Sequence, residues 1–66
     1  MHIQVIMTDP AIPDVIIPTG INWTVDYCGA VTIYGWSPIN PQEWVSLDSF
    51  GPGTWSRVTP VFTPAN

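Results

Sequence analysis

Three carboxylates, Asp26, Glu43 and Asp48, are the residues of this chain that could act as a general acid and a general base. Paired carboxylates cleave glycosidic bonds when one is protonated and the other is ionised. That chemistry also needs a deep cleft with a supporting shell of residues, which a chain of 66 residues rarely supplies. Asp26 and Asp48 fall on the polar faces of alternating segments, where aspartate is normally solvated. We therefore predict that the protein is not an enzyme.

The other candidates for catalysis or metal binding are His2 and Cys28, each the only residue of its type. A catalytic histidine needs an orienting partner and a nucleophilic cysteine needs a neighbouring base, and neither has one nearby in sequence. Because the two residues are single and far apart, they do not suggest a metal site. We predict no metal and no cofactor, and we expect Cys28 to be a buried or half-buried structural thiol.

The aromatic residues are the one constellation that could bind a ligand. Flat indole rings beside Asp, Asn or Gln could form a stacking platform for sugar rings, but core packing and subunit contacts use the same residue types. Both interpretations stay open at this point. We also expect Trp44 and Trp55 to face each other across a hairpin at Gly51-Pro52-Gly53. The aromatic set comprises Trp23, Trp36, Trp44, Trp55, Tyr27 and Tyr34.

The charge composition excludes several classes of partner. Only 9% of the residues are charged, against roughly 25% in an ordinary globular domain. The formal net charge is −4 and Arg57 is the single basic residue, which argues against nucleic acid because phosphate binding needs several Lys or Arg. No stretch of about 18 apolar residues predicts a membrane span. The start, MHIQVIM, lacks the features of a signal peptide, so we expect synthesis in the cytoplasm of a host cell.

The segments of the sequence that carry these residues are predicted to be β-strands. Alternating and β-branched segments predict about five short strands, at residues 2–7, 21–27, 31–36, 43–50 and 54–62. Pro60 makes the last of them an edge strand. Residues 37–44 allow at most one helical turn, capped by Ser37, and residues 63–66 should fray. The predicted fold is all-β: a small antiparallel barrel or sandwich with an extended N-terminal arm.

The proline-rich stretch 8–20, TDPAIPDVIIPTG, is apolar yet cannot form a helix or a regular central strand. Its prolines favour extended backbone, so we interpret residues 9–18 as a stiff strap. We divide the chain into an N-terminal arm, residues 1–20, and a small β-domain, residues 21–66. The strap must cover a surface, either on its own barrel or in a groove of a neighbouring subunit, and the sequence leaves both open.

A chain this small usually needs a disulfide, a metal or a partner subunit to be stable. With one cysteine it has no internal disulfide, so oligomerisation is the option that remains. We predict a homo-oligomer whose partners are protein subunits, either copies of itself or a capsid-like partner. The residues expected to bind them are Ile12, Val15, Ile16 and Ile17 on the arm, with Trp36 and Trp55.

This profile of few charges, a stiff apolar arm and no catalytic constellation resembles that of small virion components, such as phage capsid decoration or cementing proteins. The resemblance implies a structural protein of the virion that clamps neighbouring subunits through its arm and β-domain. The first alternative is a small carbohydrate-binding module that uses surface tryptophans. A third class is an inhibitor of a host enzyme, which the acidic charge fits. Arg57 is expected to pair with Asp48, with Glu43 or with a carboxylate of the partner.

Overall fold

Six strands form two antiparallel sheets in the computed structural model, which describes residues 1–62. The all-β prediction is confirmed, with no helix in this range, and the two sheets pack face to face without closing into one barrel. The fraying expected of residues 63–66 lies outside the described residues. The strands are β1 (His2–Met7), β2 (Val15–Ile17), β3 (Gly20–Val25), β4 (Val31–Trp36), β5 (Trp44–Phe50) and β6 (Trp55–Val61).

Sheet A has the strand order β2-β1-β6, with β1 in the centre. Ile3 lies opposite Ile17 on one side and Pro60 on the other. Because successive residues point to opposite faces of a strand, this register turns Ile3 and Val5 towards the second sheet. Pro60 lies on an edge strand, as predicted, where its missing amide hydrogen costs the sheet no internal bond.

Sheet B has the order β3-β4-β5, and its centre is the apolar strand β4. Val31 and Ile33 of β4 point inward and are fully buried. The pairing between β4 and β5 shifts after Ile33, where Asp48 is its partner, while the next residue, Tyr34, pairs with Ser46. The extra residue in β5, Leu47, forms a bulge and packs against the core.

The core between the sheets is small. Its fully buried or nearly buried side chains are Ile3, Val5 and Ile17 from sheet A and Val31 and Ile33 from sheet B. Partly buried side chains surround it: Met7, Val15, Trp23, Leu47, Phe50, Trp55 and Val58. Three of these five buried side chains come from residues 1–20, so the predicted arm contributes to the same core as sheet B.

The chain crosses from sheet A to sheet B in a very tight passage over β4. Gly20 and Gly35 are opposite each other in the ladder between β3 and β4. A Cβ atom added to Gly35 would lie 2.0 Å from the Thr19 carbonyl oxygen, and one added to Gly20 would lie 2.7 Å from Cγ1 of Ile3. Glycine is therefore required at both positions by the close approach of neighbouring atoms.

Two local expectations need correction. β5 and β6 belong to different sheets, so the Gly51-Pro52-Gly53 turn connects the sheets instead of closing a hairpin. Trp44 and Trp55 consequently do not face each other as predicted. Residues 37–44, for which at most one helical turn was expected, contain no helix, and the Ser37 amide donates to the Glu43 carbonyl oxygen to close a hairpin. Ser37 caps as predicted, because its Oγ accepts from the amides of Ile39 and Asn40 at 3.2 and 3.1 Å.

Candidate functional site

Two of the five carboxylates of the chain, Asp26 and Asp9, serve turns. Asp26 Oδ1 accepts hydrogen bonds from the amides of Cys28 and Ala30, at 2.9 and 3.1 Å, which fastens the turn between β3 and β4. Asp9 Oδ1 accepts from the Ala11 amide at 2.9 Å. Side chains used in this way stabilise loops, and within residues 1–62 no group of three or more His, Cys, Asp or Glu could hold a metal ion.

Cys28 is a free thiol at the exposed turn between β3 and β4. The expectation of a buried or half-buried thiol is therefore wrong. The physical reason is the turn itself, because Asp26 binds two amides of this loop and holds its backbone at the surface, away from the core.

The strap lies on its own sheet. Val15–Ile17 pairs with β1 as an edge strand of sheet A, and Gln4 Nε2 donates to Asp14 Oδ2 at 3.0 Å, which ties the strap to the central strand. Docking within the chain nevertheless leaves apolar surface uncovered. Ile12 is 47% exposed and Ile16 is 49% exposed, so half of each side chain stays in contact with solvent.

Three of the residues predicted to bind a partner are occupied within the chain. Ile17 is buried in the core, and Val15 and Trp55 pack against it. The Trp55 indole Nε1 also donates to the Gly29 carbonyl oxygen at 3.0 Å, which joins sheet A to the turn of sheet B. Ile12, Ile16 and Trp36 are the predicted residues whose side chains remain exposed.

We expect Trp55→Phe to destabilise the fold by about 1–2 kcal/mol, because it removes this hydrogen bond and leaves a partly buried carbonyl oxygen without its donor. Urea unfolding followed by circular dichroism measures the change. The matched control is Trp44→Phe at an exposed position, which should cost less than about 0.5 kcal/mol. Equal losses in both variants would show that the indole hydrogen bond does not join the sheets.

The outer face of sheet A combines the strap with the only cation. Ile16 lies opposite Gln4, and Ile6 lies opposite Arg57, so all four side chains share this face. We call Ile16 and Arg57 on this face, together with the exposed Ile12 of the segment before β2, the strap face. Asp48 belongs to sheet B and Glu43 to the loop before it, so the two in-chain partners suggested for Arg57 come from the other half of the sandwich.

The outer face of sheet B, on the opposite side of the molecule, is aromatic at one end and rich in hydroxyl groups at the other. Trp36 and Trp44 lie opposite each other there, with ring centroids 5.2 Å apart and planes at 83°. They are 43% and 47% exposed. We call this surface the aromatic face, formed by Trp36, Trp44, Tyr34, Ser46, Thr32 and Ser49.

Trp36 was predicted to bind a partner subunit, but its pairing with Trp44 was not predicted. The signal was present in the spacing. Ser37 and Glu43 close the loop by a backbone hydrogen bond, so the residues just outside it, 36 and 44, must oppose each other on one face. The interpretation of residues 37–44 as at most one helical turn left no place for a hairpin loop, so the pairing of residues 36 and 44 was not recognised.

The open edges of sheet B are closed by side chains of their own strands. Asp26 and Ala30 form a hydrogen-bonded pair at the turn, and bonded and non-bonded pairs alternate along an antiparallel ladder. The amide of Trp23 therefore points to the open edge of β3, where it donates to Asn22 Oδ1 at 2.8 Å. On the other edge, the Ser49 amide of β5 donates to Asp48 Oδ1 at 2.9 Å.

The edges of sheet A are protected by proline. β2 has only three residues and is followed at once by Pro18, and β6 contains Pro60, which has no amide hydrogen. Short edge strands and prolines are common devices against the addition of a further strand. Together with the capped amides of sheet B, they disfavour the addition of a further strand at the sheet edges.

Comparisons with known proteins give no relative from which a function could be transferred. No protein-family model matches the sequence, and no curated protein or solved structure is significantly similar to it. Within residues 1–62 the structure also has no helix of the length and apolarity needed to cross a membrane.

Proposed function

We propose that this chain is a structural assembly protein without enzymatic activity, a small virion component of the kind that decorates or cements a phage capsid as a homo-oligomer. The observation that carries the proposal is the strap face. Ile16 holds apolar surface in solvent on a strand that is fixed by pairing with β1, and Ile12 does so in the preceding turn, where its amide donates to the Asp9 carbonyl oxygen. A surface ordered in advance loses little conformational entropy when it docks.

The energy available from one strap face is modest. Burying a complete isoleucine side chain stabilises a complex by about 1.5–3 kcal/mol, and Ile12 and Ile16 are each already half covered. Their remaining surface is therefore worth about 2 kcal/mol in total, or more than tenfold in affinity. Lasting attachment then requires many equivalent contacts, which a symmetric oligomer on a symmetric particle supplies.

Charge and edge protection support the same mode of attachment. Arg57 is the only basic residue of the chain and lies on the outer face of sheet A, where it can form a bidentate pair with a carboxylate of a neighbouring subunit. The protected strand edges disfavour growth by strand addition, which would lead to uncontrolled fibres. Attachment through a face allows a closed, countable assembly.

We expect Ile12→Ser with Ile16→Ser to weaken binding to capsids by more than tenfold and to lower the free energy of unfolding by about 2 kcal/mol, because the covered half of each side chain is lost as well. Co-sedimentation of the purified protein with capsids that lack it measures the binding. Ile39→Ser is the matched control, because Ile39 is an exposed isoleucine in the loop between β4 and β5, away from the strap. Unchanged binding of the double variant would remove the strap face from the mechanism.

The virion assignment has its own test. Mass spectrometry of particles purified through a density gradient should find this chain in a fixed, high copy number relative to the major capsid protein. If the chain stays in the soluble fraction while particles sediment without it, the assignment to the virion is wrong.

A further inference from the structure

We propose that the aromatic face is a binding site for a neutral oligosaccharide, displayed on the side of the molecule opposite to the strap face. This proposal uses only residues on the outer face of sheet B, and it adds a ligand to the proposed structural role. Trp36 and Trp44 form its apolar end, and Ser46, Thr32 and Ser49 form its polar end. The two ends are joined by Tyr34, which lies opposite Ser46 in the ladder.

The chemistry of this face differs from that of a protein interface. Cores of protein interfaces are enriched in aromatic residues but depleted in serine, whereas here an aromatic pair is followed along β5 by Ser46 and Ser49. Sugar rings present both kinds of surface. Their C–H groups pack on the negatively charged face of an indole ring, and their hydroxyl groups donate to and accept from serine and threonine hydroxyls.

The bulge in β5 gives the polar end a shape. A shallow concavity of about 440 Å³ lies beside it, lined by Thr32, Ser46, Leu47, Asp48 and Ser49. Asp48 Oδ1 accepts a hydrogen bond from the Ser49 amide, which orients the carboxylate. The carboxylate has further lone pairs that can accept hydrogen bonds from a ligand. A fixed carboxylate can accept two hydroxyl hydrogens of one sugar ring, so this end would set the orientation of the ligand.

Charge and area decide between ligand classes. The single basic residue of the chain, Arg57, lies on the other sheet, so nothing on the aromatic face can neutralise a phosphate or an acidic sugar. The area of the aromatic face follows from the dimensions of sheet B. Three strands spaced about 4.8 Å apart, with a length of seven residues at about 3.3 Å each, cover roughly 300 Å². That area holds a few sugar rings.

The test is a titration of the full-length protein with four neutral hexasaccharides: β-1,4-linked glucose, β-1,4-linked N-acetylglucosamine, α-1,4-linked glucose and β-1,4-linked mannose. Tryptophan fluorescence should shift and saturate with at least one of them. In Trp36→Ala with Trp44→Ala the affinity should fall by more than tenfold. Ile16→Ser, on the strap face, is the matched control and should bind as the unaltered protein does.

Amide chemical shifts of the unaltered protein keep the test decisive if the tryptophan variant fails to fold. The sugar should move the signals of Trp36, Trp44 and Ser46 and leave those of Ile12 and Ile16 in place. No saturable binding of any of the four sugars, or shifts located on the strap face, would overturn the proposal. A loss of capsid binding by the tryptophan variant without any sugar binding would show that the face docks protein instead. The role of the strap face is measured separately, by co-sedimentation.

Discussion

Gly35→Ala is expected to lower the free energy of unfolding by about 3 kcal/mol or more. A Cβ atom at this position lies 2.0 Å from the Thr19 carbonyl oxygen and 2.9 Å from Cδ1 of Leu47. The leucine can rotate away, but the carbonyl belongs to the backbone that carries the chain from sheet A to sheet B. Overpacking a core usually costs about 1–3 kcal/mol and occasionally more, and a backbone collision belongs at the upper end.

The effect is large in relation to what holds the fold together. Domains have about 0.05–0.15 kcal/mol of stability per residue, which for 66 residues amounts to roughly 3–10 kcal/mol. Urea unfolding of both proteins measures the difference. Gly51→Ala is the matched control, because a Cβ atom there meets nothing within 4 Å, so its cost should stay below about 1 kcal/mol. A Gly35→Ala variant as stable as the Gly51→Ala variant would mean that the crossing over β4 is misplaced.

Deletion of residues 1–18 is expected to abolish cooperative folding. The deletion removes β1 and β2, which are two of the three strands of sheet A, and with them Ile3, Val5 and Ile17 of the core. β6 would lose its only partner strand, and Val31 and Ile33 of sheet B would face water. A sheet must bury its apolar face against another layer to be stable, and sheet B would have none.

The matched comparison for this deletion is the full-length Ile12→Ser variant, which alters the strap at an exposed position. Thermal unfolding followed by circular dichroism should show a sharp transition for Ile12→Ser and none for the deleted chain. A sharp transition in the deleted chain would show that the β-domain folds without the arm, as the predicted division at residue 20 implies.

Strand positions were largely predictable from the sequence because alternation and turn residues are local signals. The predicted segments 2–7 and 31–36 coincide with β1 and β4, and the others are within two residues of β3, β5 and β6. β2 was interpreted as a strap without regular pairing, since Pro13 and Pro18 leave room for only a short strand between them. A three-residue edge strand fits between the two prolines and still pairs with β1.

The assembly of strands into sheets was not predictable in the same way. The Gly51-Pro52-Gly53 turn indicates a reversal of the chain but does not reveal whether the next strand joins the same sheet. In the structure β6 pairs with β1, at the other end of the sequence. Because β6 pairs with β1, Trp55 packs against the core, whereas Trp44 lies beside Trp36 on the aromatic face.

The candidate site was predictable in composition and not in place. The sequence predicted that isoleucine and tryptophan side chains bind a partner, and this stays a prediction. Which of them remain exposed depends on packing, and the structure divides them between two opposite faces. Ile12 and Ile16 lie on the strap side, and Trp36 and Trp44 lie on the other.

The central claim, that the folded chain is a subunit of an assembly, is tested most directly by the melting temperature as a function of protein concentration. Association of folded chains stabilises them by mass action, so the melting temperature should rise by several degrees over about a thousandfold increase in concentration, and Ile12→Ser with Ile16→Ser should flatten that rise. A melting temperature of the unaltered protein that is the same at every concentration, with the native mass of a monomer, would contradict the account.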